Sequence, residues 1–196
     1  VRSLNGLTLH EGDAVGSVNE DYIRRIQIRE TIRTHLERER QLYGQNIKVL
    51  SLFFIDHVDS YKLYDGEDSK GKFAKMFEEE YNRVLSEMLP SFTDEAYLRY
   101  LSDPRNAASK VHKGYFSMDK KSKMVESKER QGENEERAFD LIMKDKERLL
   151  SLSEPVRFIF SHSALKEGWD NPNVFQICTL KNSDNETKKR QEVGRG

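Results

Sequence analysis

The feature that constrains this chain most is a pair of apolar runs bracketing a short polar segment. VRFIF at residues 156–160 and VFQICTL at residues 174–180 have the length and bounding turn residues of buried strands. Between them, SHSALKEGWDNPN at 161–173 offers two serines, a short helical stretch and an Asn171-Pro172 pair that stops any helix. Strand, polar turn, helix and strand make a βαβ-like unit, the crossover that two parallel strands require. In open α/β sheets, ligands bind beyond the carboxyl ends of the strands. That rule directs attention to Ser161 and Ser163, whose hydroxyls lie near a helix start where backbone N–H groups favour phosphate. The chain then reaches QEVGRG at 191–196, where Gly194-Arg195-Gly196 lets backbone and a planar guanidinium approach one anion together.

The rest of the chain supplies a sheet for that unit to join. IKVLSLFFI at 47–55 is nearly continuous apolar sequence, which suits a central parallel strand covered on both faces. Upstream, residues 22–42 place Ile28, Ile32 and Leu36 four apart on one face of a helix, with Asn19 as its cap and Gly44 as its end. Phe73, Met76, Phe77, Val84, Leu85 and Met88 form the stripe of a second helix, ended by Pro90. Ser91 or Thr93 is expected to cap a short helix carrying Ala96, Tyr97 and Leu101, which Asp103-Pro104 stops. Residues 111–118 are expected as a strand and 119–132, lysine- and glutamate-rich without apolar period, as a mobile loop. Residues 133–152 are expected as a helix with Ala138, Leu141, Ile142 and Leu149 inward. Leu4, Leu7 and Leu9 among Gly6, Gly12 and Gly16 suggest short strands and tight turns. Strands alternating with helices predict an α/β fold built on a parallel sheet.

Composition narrows the function classes. At 196 residues the chain suits one domain, and no apolar run approaches a membrane span. No secretory segment opens it, so a cytoplasmic setting is expected. The single cysteine, Cys178, excludes an internal disulfide and lies in an apolar run, as a small core residue would. The five histidines show no metal-ligand spacing with a third ligand, so no protein-held metal is expected. Net charge is −1, yet residues 105–130 hold 8 Lys and Arg against 3 acids, while residues 65–97 hold 4 against 9. A nucleic-acid motor needs such a local positive path rather than a basic whole. Lys113, within the lysine-rich stretch 110–123, is the candidate to extend a DNA track if the fold brings it to the same edge as Ser161.

Several of these strings together resemble one family. LKEGWDNPNV at 165–174 resembles motif V of superfamily 2 helicases, QEVGRG the start of motif VI, and IKVLSLFFID motif IV. The longer FIFSHSALKEGWDNPNVFQICTL, with RRIQIRETIRTHLE at 24–37 and VHKGYFSMD at 111–119, is similar to the Res subunit of type III restriction enzymes. The resemblance covers nearly the whole chain in scattered blocks. It implies the second RecA-like domain of a helicase, a parallel sheet with helices on both faces, truncated at motif VI. Residues 57–132 are then expected as an insertion or elaboration.

By the same resemblance, the parent enzyme uses ATP with Mg²⁺ at a cleft between two motor domains and works on DNA beside a modification (methyltransferase) subunit. An upstream first RecA-like domain would supply the P-loop and metal-binding acids, and a downstream nuclease domain would cleave. Both ends of this chain are expected to continue into that longer protein. Ser161, Ser163 and Lys113 are the DNA-side candidates, and Gly168, Asp170 and Gly194 the nucleotide-side ones. Gln191 and Arg195 are the catalytic candidates, Arg195 as the finger on the γ-phosphate. The family carries a second arginine shortly after GRG, so which of the two acts is open. Trp169 stands where related motifs carry an aliphatic residue and is expected to pack.

Other patterns compete with these readings. Residues 66–72, GEDSKGK, fit G-x-x-x-x-G-K before a helix, but Phe73 stands where a hydroxyl should hold Mg²⁺ and two acids enter the supposed cradle, so a solvated loop is expected. Asp170 either meets a ribose hydroxyl or merely caps the Asn171-Pro172 turn. Tyr115 or Phe116 either stacks on a base or packs in the core. Glu186-Thr187-Lys188 lacks the further carboxylates a nuclease site needs. Another superfamily 2 translocase fits the motif V core but not the RRIQIRETI and HKGYF blocks. A non-catalytic α/β module would lack an arginine and a nuclease motif after the GRG.

Overall fold

The computed structural model describes residues 20–63, 69–116, 140–162 and 171–180. The expected short strands before residue 18, the Asn19 cap and the loop at 119–132 lie outside them. Four strands, β1 (Leu50–Phe54), β2 (His112–Tyr115), β3 (Phe158–Ser161) and β4 (Val174–Thr179), form one sheet in the order β2-β3-β1-β4. Every pairing is parallel. The three apolar runs are therefore neighbours around β1, as their continuous hydrophobicity required. Residues 57–132 include β2, which is an edge strand of the same sheet.

The pleat of β1 divides the core in two. Leu50, Leu52 and Phe54 face one layer with Tyr115, Leu141, Ile142, Leu149, Val156 and Ile159. Phe53 and Ile55 face the other, with Ile28, Ile32 and Leu36 of α1 (Glu20–Tyr43) and the apolar stripe of α2 (Lys72–Met88). Alternate side chains of a strand point to opposite faces, so a strand buried throughout needs helices on both. Phe53 stacks on Phe160 at 4.6 Å between ring centroids, and Phe77 of α2 meets Phe158 edge-on at 4.8 Å. Each such buried ring contributes roughly 1.5–3 kcal/mol relative to exposure.

Helices α1 and α2 are joined outside the core by ion pairs. Arg25 reaches Glu79 and Glu80, Arg29 reaches Glu80, and Arg33 reaches Glu87. Burial alone would raise the Glu80 carboxyl; hydrogen bonds from Arg29 and Arg25 outweigh it and hold the group below its usual range.

Several local expectations need correction. α1 ends at Tyr43, immediately before Gly44 as expected, but the left-handed residue that closes its end is Asn46 (φ 58°). Asn46 N–H donates to Tyr43 O and Ile47 N–H to Leu42 O, the paired bonds of a Schellman end, which needs positive φ at Asn46. The cap of α3 (Glu95–Ser102) is Asp94, whose carboxylate accepts from Ala96 N–H and Tyr97 N–H, rather than Ser91 or Thr93. The helix expected at 133–152 is interrupted in its described part. A π-helical turn (Asp140–Lys144) meets α4 (Lys146–Leu150) at Asp145, whose side chain caps α4 through Arg148 N–H. Leu141, Ile142 and Leu149 are nevertheless buried as expected. Strand β3 begins at Phe158, two residues later than the apolar run. In β4 the register shifts between Val174 and Gln176, and the extra residue, Phe175, is turned outward beneath the Arg38 guanidinium.

Candidate functional site

The carboxyl edge of the sheet is formed by the ends of β2, β3, β1 and β4. Ser161 ends β3 there, pairing with Phe54 on one side and Tyr115 on the other, and its carbonyl accepts from Ile55 N–H at 2.9 Å. Its hydroxyl is fully buried and has no hydrogen-bond partner among the described residues. Lys113 lies opposite Ile159 on β2, next to β3, two positions before the residue that pairs with Ser161 and on the same face of the sheet. It is half-buried. Ser163, Gly168, Asp170, Gln191, Gly194 and Arg195 lie outside the described residues, as does Trp169.

The polar segment after β3 rejoins the described fold at the opposite edge. Val174 pairs with Leu50, at the amino end of β1, whereas Ser161 pairs with Phe54. Four residues of strand, about 13 Å, separate those levels. The turn there is closed by Asn171 itself: its Oδ1 accepts from Asn173 N–H at 3.0 Å and its carbonyl from Val174 N–H at 3.1 Å.

Two alternatives left open by the sequence resolve toward packing. Tyr115 is buried in the layer with Ile159, and Phe116 packs 5.7 Å from the Tyr61 ring. Tyr61 lies over Phe160 at 4.7 Å in the space above Gly114, where a Cβ would come within 2.7 Å of the Tyr61 ring. The Tyr61 hydroxyl meets His112 Nδ1 at 2.8 Å, and His112 Nε2 meets Glu78 Oε1 at 3.2 Å. Burial keeps His112 below the usual imidazole range. The HKGY block is thus a packing signature. The phosphate-loop look-alike is also otherwise engaged: Lys72 pairs with Asp21 at 2.6 Å, and a Cβ on Gly71 would strike Asp59 O. Cys178 is partly buried against the α1 and α2 layer, and burial raises its thiol.

The sequence reading missed a buried polar cluster at the amino ends of β1 and β3. Arg157 and Glu39 pair with no exposed surface on either side chain. Arg157 Nη2 donates to Tyr81 Oη at 2.5 Å, and Tyr97 Oη donates to Glu39 Oε2 at 2.9 Å. Burial would raise the Glu39 carboxyl, but the Arg157 charge beside it holds it at about 2. His35 Nδ1 meets Ser51 Oγ at 2.8 Å, and burial holds the imidazole below its usual range. Lys48, also fully buried, donates to Ser151 O at 3.1 Å and Glu154 O at 2.5 Å. Burial, with Arg157 nearby, lowers its ammonium to about 7. A signal was available: His35 and Glu39 continue the Ile28, Ile32, Leu36 face, so α1 turns two polar groups inward.

An all-parallel sheet covered by helices on both faces, with its polar segment leaving the carboxyl end of an inner strand, defines an α/β fold consistent with a RecA-like domain. Over 195 residues the chain is 42% identical to the EcoP15I Res subunit of Escherichia coli and 40% identical to the EcoPI Res subunit of Escherichia phage P1. It is 34% identical over 224 aligned positions to the StyLTI Res subunit of Salmonella typhimurium. All three are type III restriction-modification enzymes, and each alignment takes in 98% of this chain. The chain spans about a fifth of the length of these relatives, 19 to 21%. No family model matches it. The chain is a homologue of one segment of the type III Res subunits.

Proposed function

We propose that this chain is the second RecA-like motor segment of a type III restriction endonuclease, one wall of its ATP cleft and part of its DNA track. The observation that carries this is the 42% identity over 98% of the chain to a Res subunit. The parallel sheet supports it, because such a sheet offers ligands its strand ends.

In this reading the whole enzyme couples ATP hydrolysis to movement or switching on DNA and to cleavage, beside a modification subunit that reads and methylates the sequence. The P-loop and the Mg²⁺-binding acids come from an upstream RecA-like domain, and the nuclease from a downstream one. Gly168, Asp170 and Gly194 face the nucleotide, with Asp170 accepting from a ribose hydroxyl. Gln191 and Arg195 face the γ-phosphate, where a guanidinium offsets charge that builds in hydrolysis. Ser163 and Lys113 lie on the DNA side, where contacts to the backbone carry no sequence information, and Ser161, its hydroxyl buried at the end of β3, supports that edge from within. The separation of the described flanks of 163–170 to opposite edges of the sheet favours two roles for that segment.

The test is DNA-stimulated ATP hydrolysis by the full-length enzyme. Arg195→Ala is expected to reduce it by roughly 10³-fold or more while sequence-specific DNA binding persists. Near-normal hydrolysis would remove Arg195 from the finger role.

A further inference from the structure

The surroundings of His35 allow one consistent set of hydrogen bonds for each charge of the ring. His35 and Ser51 are both fully buried. His35 Nδ1 lies 2.8 Å from Ser51 Oγ, and Ser51 Oγ lies 3.3 Å from the side-chain amide of Gln176, half-buried on the edge strand β4. On the far side of the ring, Nε2 faces Glu39 Oε1 at 3.6 Å, and neither atom has a hydrogen-bond partner among the described residues. The other Glu39 oxygen accepts from Arg157 and Tyr97. A carboxylate only accepts, so Nε2 carries a proton where it faces Oε1.

The rest of the chain of bonds follows from that proton. A neutral imidazole has one N–H, so its Nδ1 must accept. Ser51 has one hydroxyl proton and gives it to Nδ1, and Gln176 turns its NH₂ group toward Ser51. In the imidazolium both ring nitrogens donate. Ser51 then accepts from Nδ1 and gives its proton to Gln176 Oε1. One proton at His35 therefore reverses the Ser51 hydroxyl and turns over an amide on β4. The charges around the ring oppose one another. Glu39, on the same helix, favours the imidazolium, while Arg157 before β3 and Lys48 before β1 disfavour it. The Phe158 ring lies 4.1 Å from the imidazole, and α2 and α3 bring the hydroxyls of Tyr81 and Tyr97 to Arg157 and Glu39.

We propose that His35, Ser51 and Gln176 form a proton-sensitive switch, in which the charge of a core imidazole is passed through one hydroxyl to the edge strand β4. Histidine suits this role because its charge changes near physiological pH.

The experiment follows the ring nitrogens of His35 and the side-chain amide of Gln176 by nitrogen NMR in the full chain as pH falls from about 8 to about 5. At the upper end His35 is expected as the Nε2–H tautomer, and the Gln176 amide should shift at the same midpoint as the ring. Gln176→Glu, an acceptor only, should raise that midpoint by about 1 pH unit or more. Gln176→Met leaves the Ser51 hydroxyl without an acceptor when His35 is charged, and should lower it. Opposite shifts that vanish in a Ser51→Ala background uphold the switch. Shifts of the same sign, or shifts that survive Ser51→Ala, overturn it. So does a Gln176 amide that does not follow His35, or a His35 that stays neutral until the chain unfolds. Those last two readings use the unaltered chain, so they decide the matter even where a variant fails to fold.

Discussion

Arg157 and Glu39 stand 118 residues apart in the chain and form a fully buried ion pair at the amino end of β3. Tyr81 and Tyr97 add hydrogen bonds from α2 and α3, and the Arg157 guanidinium lies 5.3 Å from the Tyr100 ring centroid. Three helices and the central sheet therefore meet on one charge pair.

Breaking that pair from one side should be expensive. Arg157→Met or Glu39→Met leaves a buried charge without its partner, and each should cost about 3–5 kcal/mol. The Arg157→Met, Glu39→Met double variant should be less destabilised than the two single losses added together. Urea unfolding of the four proteins measures the coupling; strict additivity would contradict it.

The buried Lys48 predicts a pH dependence. Its ammonium titrates near 7 in the folded chain and near the ordinary lysine value of 10.5 when unfolded. Between those values the unfolded chain binds more protons, so stability rises as pH increases through this window. Glu39 acts at the other end: its folded value of about 2 makes a contribution present above 4.5 and lost as pH falls toward 2. Urea unfolding at several pH values should show both slopes, and Lys48→Met should remove the alkaline one.

Gly114 should tolerate no side chain. A Cβ would lie 2.3 Å from the Phe116 ring and 2.7 Å from Tyr61. Gly114→Ala is expected to destabilise by about 1–3 kcal/mol through overpacking. Tyr61→Phe, which keeps the ring and loses the bond to His112, should cost only about 1 kcal/mol. Thermal unfolding distinguishes the two.

Ser161 offers a separation of stability from binding. Its hydroxyl is buried and unpartnered among the described residues, so Ser161→Ala should shift stability by no more than about 0.5 kcal/mol. In the full-length enzyme, Ser161→Ala with Ser163→Ala should weaken DNA binding to a similar degree on unrelated sequences. Loss confined to one sequence would contradict a backbone contact.

The sequence made the sheet legible because its signals are local. Continuous apolar runs at β1, β3 and β4, and the Ile28, Ile32, Leu36 spacing, each declare burial within a few residues. The Asp94 cap and the break at Asp145 depend on which of several adjacent polar side chains reaches a free N–H, which composition does not decide. Arg157 was hidden for a different reason. Its partner lies in a distant helix, and a lone arginine in an apolar run carries no mark of the tyrosines and carboxylate that neutralise it. The candidate site was legible as motif strings, while the Asn173–Lys48 bond in the turn before β4 spans 125 residues of chain and leaves no local mark.

The order of the strands also sets a timetable for synthesis. Strand β1 is central in space, yet its partners β3 and β4 are made more than 100 residues later. At about 5–20 residues per second, its apolar surface emerges roughly 5–20 s before either neighbour exists. Helices α1 and α2 flank it in sequence and carry their own Arg–Glu pairs, so they are the parts able to shield its α1-facing side during that interval. The opposite face, with Leu50, Leu52 and Phe54, waits for residues beyond 110. A ribosome-bound chain of this kind is therefore most exposed to aggregation through that second face.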